Sequence, residues 1–97
     1  MFYVYILYSE RIHRCYIGST ALAPKERLQQ HNSVDKSTPF TAKGQPWMLV
    51  SSMVCTTRLQ ALRVERHIKR MKSKVYIQNL VTYFEMREKL IARYAEH

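Results

Sequence analysis

Residues 2 to 8, FYVYILY, are aromatic or β-branched apart from Leu7, and residues 14 to 19, RCYIGS, form a second short run of the same β-prone kind. The polar stretch SERIH between them has the size of a hairpin loop. Closure of that hairpin between Tyr8 and His13 would set Tyr5 directly opposite Tyr16, so that two phenols project side by side from one face. Pro24 suits the first turn of a helix, and KERLQQH extends it to the turn-prone Asn32-Ser33, which predicts a helix over 23–32. Residues 33–46 hold the other two prolines and the second glycine without periodicity, and read as an exposed loop carrying Lys36 and Lys43. Trp47 to Val54 has the length and content of a third strand. Thr56 or Thr57 can cap a helix running to about Met71, with Ala61, Leu62, Ile68 and Met71 as its apolar stripe. Ser73 can cap a further helical stretch, in which Leu80, Tyr83, Phe84, Leu90, Ile91 and Tyr94 continue a period that fits one helix or two. No repeat or low-complexity tract interrupts the pattern.

A chain of 97 residues that is 46% hydrophobic is expected to form one small domain over 1–97 with a thin core, so a polar residue on an apolar stripe is informative. The opening run MFYVYILY lacks a basic leader and a small-residue cleavage site, and is too short to span a bilayer. A cytoplasmic location with no membrane partner is the expectation. Cys15 and Cys55 cannot staple a domain of this length and have no zinc-like spacing, so both read as packed thiols in a reducing compartment. Charge changes the picture more. Sixteen Lys and Arg against seven Asp and Glu give +9, and residues 58 to 74 concentrate it in Arg58, Arg63, Arg66, Lys69, Arg70, Lys72 and Lys74, with Glu65 as the sole acid. Such a field attracts polyanions, which points to nucleic acid, although a solvated helix face is the plain alternative. Lys43, Arg66, Lys69, Arg70 and Lys72 are the candidate nucleic-acid contacts.

Three features depart from what packing alone would choose. Glu65 falls within the stripe expected to face the core, and a carboxylate there must meet a cation, either a basic side chain or a metal ion. Arg27 and His31 are four apart and share a helix face; Arg can grip a phosphate bidentately and His can move protons near neutral pH. Gly18 sits inside a strand-like run two residues after Tyr16, leaving a gap beside a phenol that only a close neighbour or ligand would justify.

These residues, in order, resemble the GIY-YIG nuclease family. Tyr3-Val4-Tyr5 stands at the first motif and Tyr16-Ile17-Gly18 at the second, with ten residues between Tyr5 and Tyr16. Arg27-x-x-x-His31-Asn32 comes next, then Thr38, Thr41 and Gly44 before Pro46-Trp47-x-Leu49-Val50, and finally Glu65-x-x-Ile68-Lys69. The resemblance covers about residues 2–72, is nearest to the short stand-alone branch, and leaves 73–97 as a C-terminal helical extension. It departs at Tyr3, where the family has Gly.

The resemblance implies an α+β fold, a small three-stranded antiparallel sheet flanked by helices, and hydrolysis of a phosphodiester with one divalent cation, Mg²⁺ or Mn²⁺. It assigns Glu65 as metal ligand, Arg27 as the cation facing the phosphate, and Tyr5 and Tyr16 as groups that position or deprotonate the nucleophile, with His31 assisting. Asn79, 14 residues after Glu65, is a further position to compare with a recurrent Asn of the family. The expected function is a small metal-dependent endonuclease acting on DNA rather than RNA, on structured or damaged intermediates, because groups for phosphate chemistry outnumber groups for reading bases. The rivals are a non-catalytic nucleic-acid-binding module and an adaptor docking through the apolar C-terminal region. That region is expected to complete the core, form a homodimer or meet a partner protein.

Overall fold

Strand β1 (Phe2–Ser9) lies at the centre of the sheet, and its unbroken apolar and aromatic content follows from that position. A computed structural model describes residues 1–33 and 39–95. Antiparallel partners flank β1 on both sides, β2 (Arg14–Thr20) and β3 (Met48–Cys55), in the order β2-β1-β3. The helices are α1 (Pro24–His31), α2 (Pro39–Lys43), α3 (Arg58–Met71), α4 (Lys74–Thr82) and α5 (Phe84–Arg93). The α+β class and three-stranded antiparallel sheet are as expected.

Alternation along β1 divides the interior into two. Val4 and Ile6 point to one face, where they pack with Ile17, Met53, Cys55, Ala61, Val64, Ile68, Leu80 and Leu90 from β2, β3, α3, α4 and α5. Tyr5 and Leu7 point to the other, against Trp47, with Tyr16, Leu28 and Leu49 packed around them. A bulge in β3 changes which of its residues join each face. Ile6 pairs with Ser51 but Leu7 with Leu49, so Val50 has no partner across the strand and the side-chain alternation shifts by one. Leu49 thereby joins the Tyr5 face and Val50 the face of α3. Each fully buried aliphatic side chain contributes about 1.5–3 kcal/mol.

The hairpin register differs from the expected one. Ser9 pairs with Arg14, so Tyr5 stands opposite Gly18 and Tyr16 opposite Leu7. The two phenols keep a common face, offset by two residues along the ladder. The reason is Ser9, fully buried and donating its hydroxyl to the Gly44 carbonyl at 2.6 Å, which holds it in the sheet instead of the loop. His13 then turns the chain back with φ 53°.

Residues 33–46 are not simply an exposed loop. α2 occupies Pro39–Lys43, Thr41 is fully buried, and Gly44 is buried where an added Cβ would overlap the Trp47 ring. Trp47 Nε1 donates to the Thr41 carbonyl at 2.7 Å, tying this segment beneath the Tyr5 face. Lys36 and Thr38 lie outside the described residues.

In α3, Thr57 caps the first turn by accepting the Gln60 N–H at 3.1 Å. The buried line is Gln60, Ala61, Val64 and Ile68, which corrects the expected stripe. With about 100° per residue, Leu62 falls about 160° from Val64, on the outer side, and it is exposed. Met71 ends the helix and is exposed as well. Gln60 is satisfied by the Thr56 N–H and by donating to the Ile91 carbonyl, which links α3 to α5. Ser73 caps α4 through the Tyr76 N–H.

The C-terminal period resolves into two helices. Tyr83 takes extended angles between them, and Arg87 donates to the Leu80 and Val81 carbonyls at 2.6 and 2.9 Å, closing the end of α4 from α5. Leu80 and Leu90 join the core, whereas Tyr83 and Phe84 are exposed at the junction and are not part of that stripe. Cys15 and Cys55 are both free thiols; only Cys55 is packed inside, and Cys15 is exposed. No described helix is long and apolar enough to cross a membrane.

Candidate active site

The Tyr5 face of the sheet gathers side chains from three elements. Opposite Tyr5 on β2 is Gly18, where an added Cβ would run into the Tyr5 Oη and Cζ and stand 3.1 Å from Tyr16 Cε1. The gap seen in sequence is therefore filled by the phenol across the ladder, an aromatic laid over a strand glycine. With that space available, the Tyr5 ring lies flat, 25° from the plane of Tyr16 with centroids 6.3 Å apart.

α1 brings its last turn against this pair. Asn32, at the C-cap, accepts the Trp47 N–H at 2.6 Å and donates to the Trp47 carbonyl at 3.0 Å, while Gln45 donates to the His31 carbonyl at 2.8 Å. Held so, His31 is 2% exposed, and its Nε2 stands 2.9 Å from Tyr5 Oη. The imidazole also packs against Tyr16, ring centroids 4.7 Å apart, and Trp47 closes the other side of Tyr16 at 6.1 Å.

Burial and charge fix the protonation of this pair. Burial, reinforced by the Arg27 guanidinium, lowers the His31 pKa to about 4, so the imidazole is neutral at ordinary pH. Burial also pushes the Tyr5 phenol up to about 12; Arg27 opposes that rise, and Tyr16 and the Glu65 carboxylate add to it. One proton therefore serves the contact between two neutral groups, with either partner as donor according to the tautomer. Tyr5 thus senses Arg27 and Glu65, which come from helices on opposite sides of the sheet.

Arg27 is half-buried on α1, and its Nη1 donates to Gln30 Oε1 at 2.6 Å. Gln30 lies outside the sequence motifs, and its place three residues along the same helix face as Arg27 is the signal that marks it. Glu65 lies about 100° around α3 from Val64, at the margin of the buried line rather than within it. Its side chain is 19% exposed and its Oε2 accepts from Lys69 Nζ at 2.9 Å. The cation expected for it is thus present as an i,i+4 lysine. Tyr3 shares the Tyr5 side of β1 and is half-buried. Asn79, half-buried on α4, offers its backbone carbonyl to the Tyr83 N–H and its side chain takes no part in the contacts around Tyr5. Lys43, Arg66, Lys69, Arg70 and Lys72 are exposed, Lys43 at the end of α2 and the others on or just past the second half of α3.

Among the described residues no three His, Cys, Asp or Glu side chains cluster as a metal-binding group. A lone half-buried carboxylate suits a hard cation that takes its remaining ligands from water and substrate phosphate, as Mg²⁺ does, and does not suit a structural zinc.

Residues 1–79 match the family model described as the GIY-YIG catalytic domain. No curated protein and no solved structure gave a significant match.

Proposed function

This chain belongs to the GIY-YIG catalytic-domain family, a membership that supports a nuclease-type function in general, and from that premise we propose that it is a divalent-metal-dependent endonuclease hydrolysing DNA in repair or in processing of structured intermediates. The observation that carries the reading is the convergence on Tyr5. Its phenol meets His31 at 2.9 Å, faces Tyr16 and feels the charges of Arg27 and Glu65. A fold kept only for binding needs no cation and no carboxylate beside that phenol, whereas phosphodiester hydrolysis uses both.

The residues divide by depth. Tyr5 and His31 are buried beneath the surface, while Tyr16, Arg27 and Glu65 are half-buried and border solvent. Arg27, steadied by Gln30, opposes the charge that builds on the phosphate during attack. Tyr16 orients the attacking water. Tyr5 and His31 both stay neutral at ordinary pH, and their 2.9 Å contact fixes the Tyr5 phenol beside Tyr16 so that the phenol pair keeps its place against the attacking water. Glu65 would hold the Mg²⁺ or Mn²⁺ ion, which when bound neutralises phosphate and leaving-oxygen charge. The exposed cations of α3 supply sequence-independent affinity for the backbone.

Incubation of linear, branched and single-stranded DNA and RNA with the protein, with and without Mg²⁺ or Mn²⁺, tests this directly. Divalent-dependent cleavage of DNA that slows in Arg27→Ala and disappears in Glu65→Gln is the expected result. Salt-sensitive binding with no cleavage of any substrate would replace it with the reading of a non-catalytic nucleic-acid-binding module.

A further inference from the structure

A second concavity lies away from the Tyr5 group. The closed end of the β1–β2 hairpin, the last turn of α3 and the length of α4 enclose a cleft of about 730 Å³, a volume typical of ligand sites. Val50, Ile68, Ile77 and Val81 form its apolar floor. Arg14, Lys69, Lys72 and Lys74 stand around it, and none of its described lining residues is acidic. Local structure builds this arrangement: the bulge in β3 turns Val50 to this side, and the left-handed Lys72, φ 48°, ends α3 so that the chain re-enters α4 at once. A solvated helix face needs no recessed apolar floor, and a purely hydrophobic partner would leave Arg14, Lys72 and Lys74 uncompensated, Lys69 being paired with Glu65. The complementary occupant has flat apolar bodies strung on an anionic chain.

We propose that this cleft binds a single-stranded segment of nucleic acid, with bases against the apolar floor and Tyr8 and with phosphates on the surrounding cations. A duplex keeps its bases stacked inside and presents none of them to a concave floor, whereas an unpaired strand does. The inference rests on the nuclease reading and narrows its substrate to DNA with an unpaired arm beside the cleaved bond. Lys69 joins the two places, since it pairs with Glu65 at 2.9 Å and also lines the cleft. From Glu65 to Lys72 along α3 is about 10 Å at 1.5 Å per residue, the rise of about three stacked nucleotides at 3.4 Å each.

Cys15 reports on occupancy, because it is exposed and lines this cleft while Cys55 is buried. Its alkylation by iodoacetamide is followed in EDTA, where no cleavage occurs, with a short oligothymidylate added to saturation as judged by fluorescence anisotropy. The expected result is several-fold slower alkylation of Cys15. In a Lys72→Gln, Lys74→Gln double variant the protection at the same oligonucleotide concentration is lost, and the salt slope of binding flattens by about 1.4, since each phosphate neutralised on a single strand contributes about 0.7. A Lys25→Gln, Lys89→Gln variant, altered on the exposed faces of α1 and α5, keeps the protection. Undiminished alkylation at saturation, equal protection by a blunt duplex, or equal loss in the control variant would each overturn the proposal. Protection of Cys15 by a protein that cleaves nothing would sustain the cleft and remove the nuclease reading; cleavage without protection would do the reverse.

Discussion

Tyr5 Oη and His31 Nε2 meet at 2.9 Å in a place where both side chains are almost wholly enclosed, 1% and 2% exposed, so a single hydrogen bond joins the central strand to the last turn of α1. Removing the hydroxyl leaves a buried ring nitrogen without its partner. Tyr5→Phe is expected to cost about 1–3 kcal/mol, read as a lower midpoint in urea, and to slow single-turnover cleavage. An unchanged midpoint together with an unchanged rate would show that the contact matters to neither.

The same burial sets a pH dependence. His31 stays neutral in the folded protein until about pH 4, whereas in the unfolded chain it takes a proton near its ordinary value of 6.5. Between those values the unfolded state binds more protons, so its contribution to stability is complete above pH 6.5 and is lost as pH falls through about 4. The slope from this one group reaches at most about 1.4 kcal/mol per pH unit. Urea midpoints measured through that window should decline less steeply in His31→Gln than in wild type; parallel declines would assign the acid sensitivity to other groups.

Gly18→Ala places a methyl group where the Tyr5 ring lies. Neither the β1 backbone nor the packed ring can withdraw freely, so overpacking is expected to cost about 1–3 kcal/mol and to disturb the Tyr5–His31 contact. Thermal unfolding gives the first effect and cleavage rate the second. An alanine accepted without loss in either would mean that the ring has room to move.

Glu65 gives the opposite combination. Its pairing with Lys69 is an i,i+4 bridge between partly solvated side chains, 19% and 53% exposed, so Glu65→Gln is expected to change stability by well under about 1 kcal/mol. Divalent-dependent cleavage should nonetheless disappear. Turnover that persists would take Glu65 out of the metal role, and a protein that unfolds would make the salt bridge its main purpose.

Arg27 and Gln30 can be separated by kinetics. Arg27→Ala should lower the single-turnover rate at saturating DNA more than it lowers affinity, because a cation matched to transition-state charge acts on the chemical step. Gln30→Ala removes only the 2.6 Å bond that steadies the guanidinium, so a smaller loss in the same direction is expected. Equal rates with weakened binding in both would reduce Arg27 to a phosphate contact.

Much of the fold is readable along the chain because it is local. Strand content marks β1, β2 and β3 to within a residue or two, the Thr56-Thr57 pair and Ser73 announce the starts of α3 and α4, and the order of Tyr5, Tyr16, Gly18, Arg27, His31 and Glu65 announces the family. Features that depend on distant partners are not readable in this way. The hairpin register turns on Ser9 finding Gly44, 35 residues away, and the short α2 is tied in by Trp47. A period of 3.6 residues defines a helix but not which flank meets the sheet. Val64 rather than Leu62 therefore comes to face the core, and Glu65 comes to the margin, only once α3 is laid across β1 and β2. The Tyr5–His31 contact spans 26 positions, and the cleft over Val50 needs a bulge, a hairpin end and two helices at once. Local spacing determines which elements form; the packing of those elements, a sum of many weak and distant contacts, decides which side chains meet.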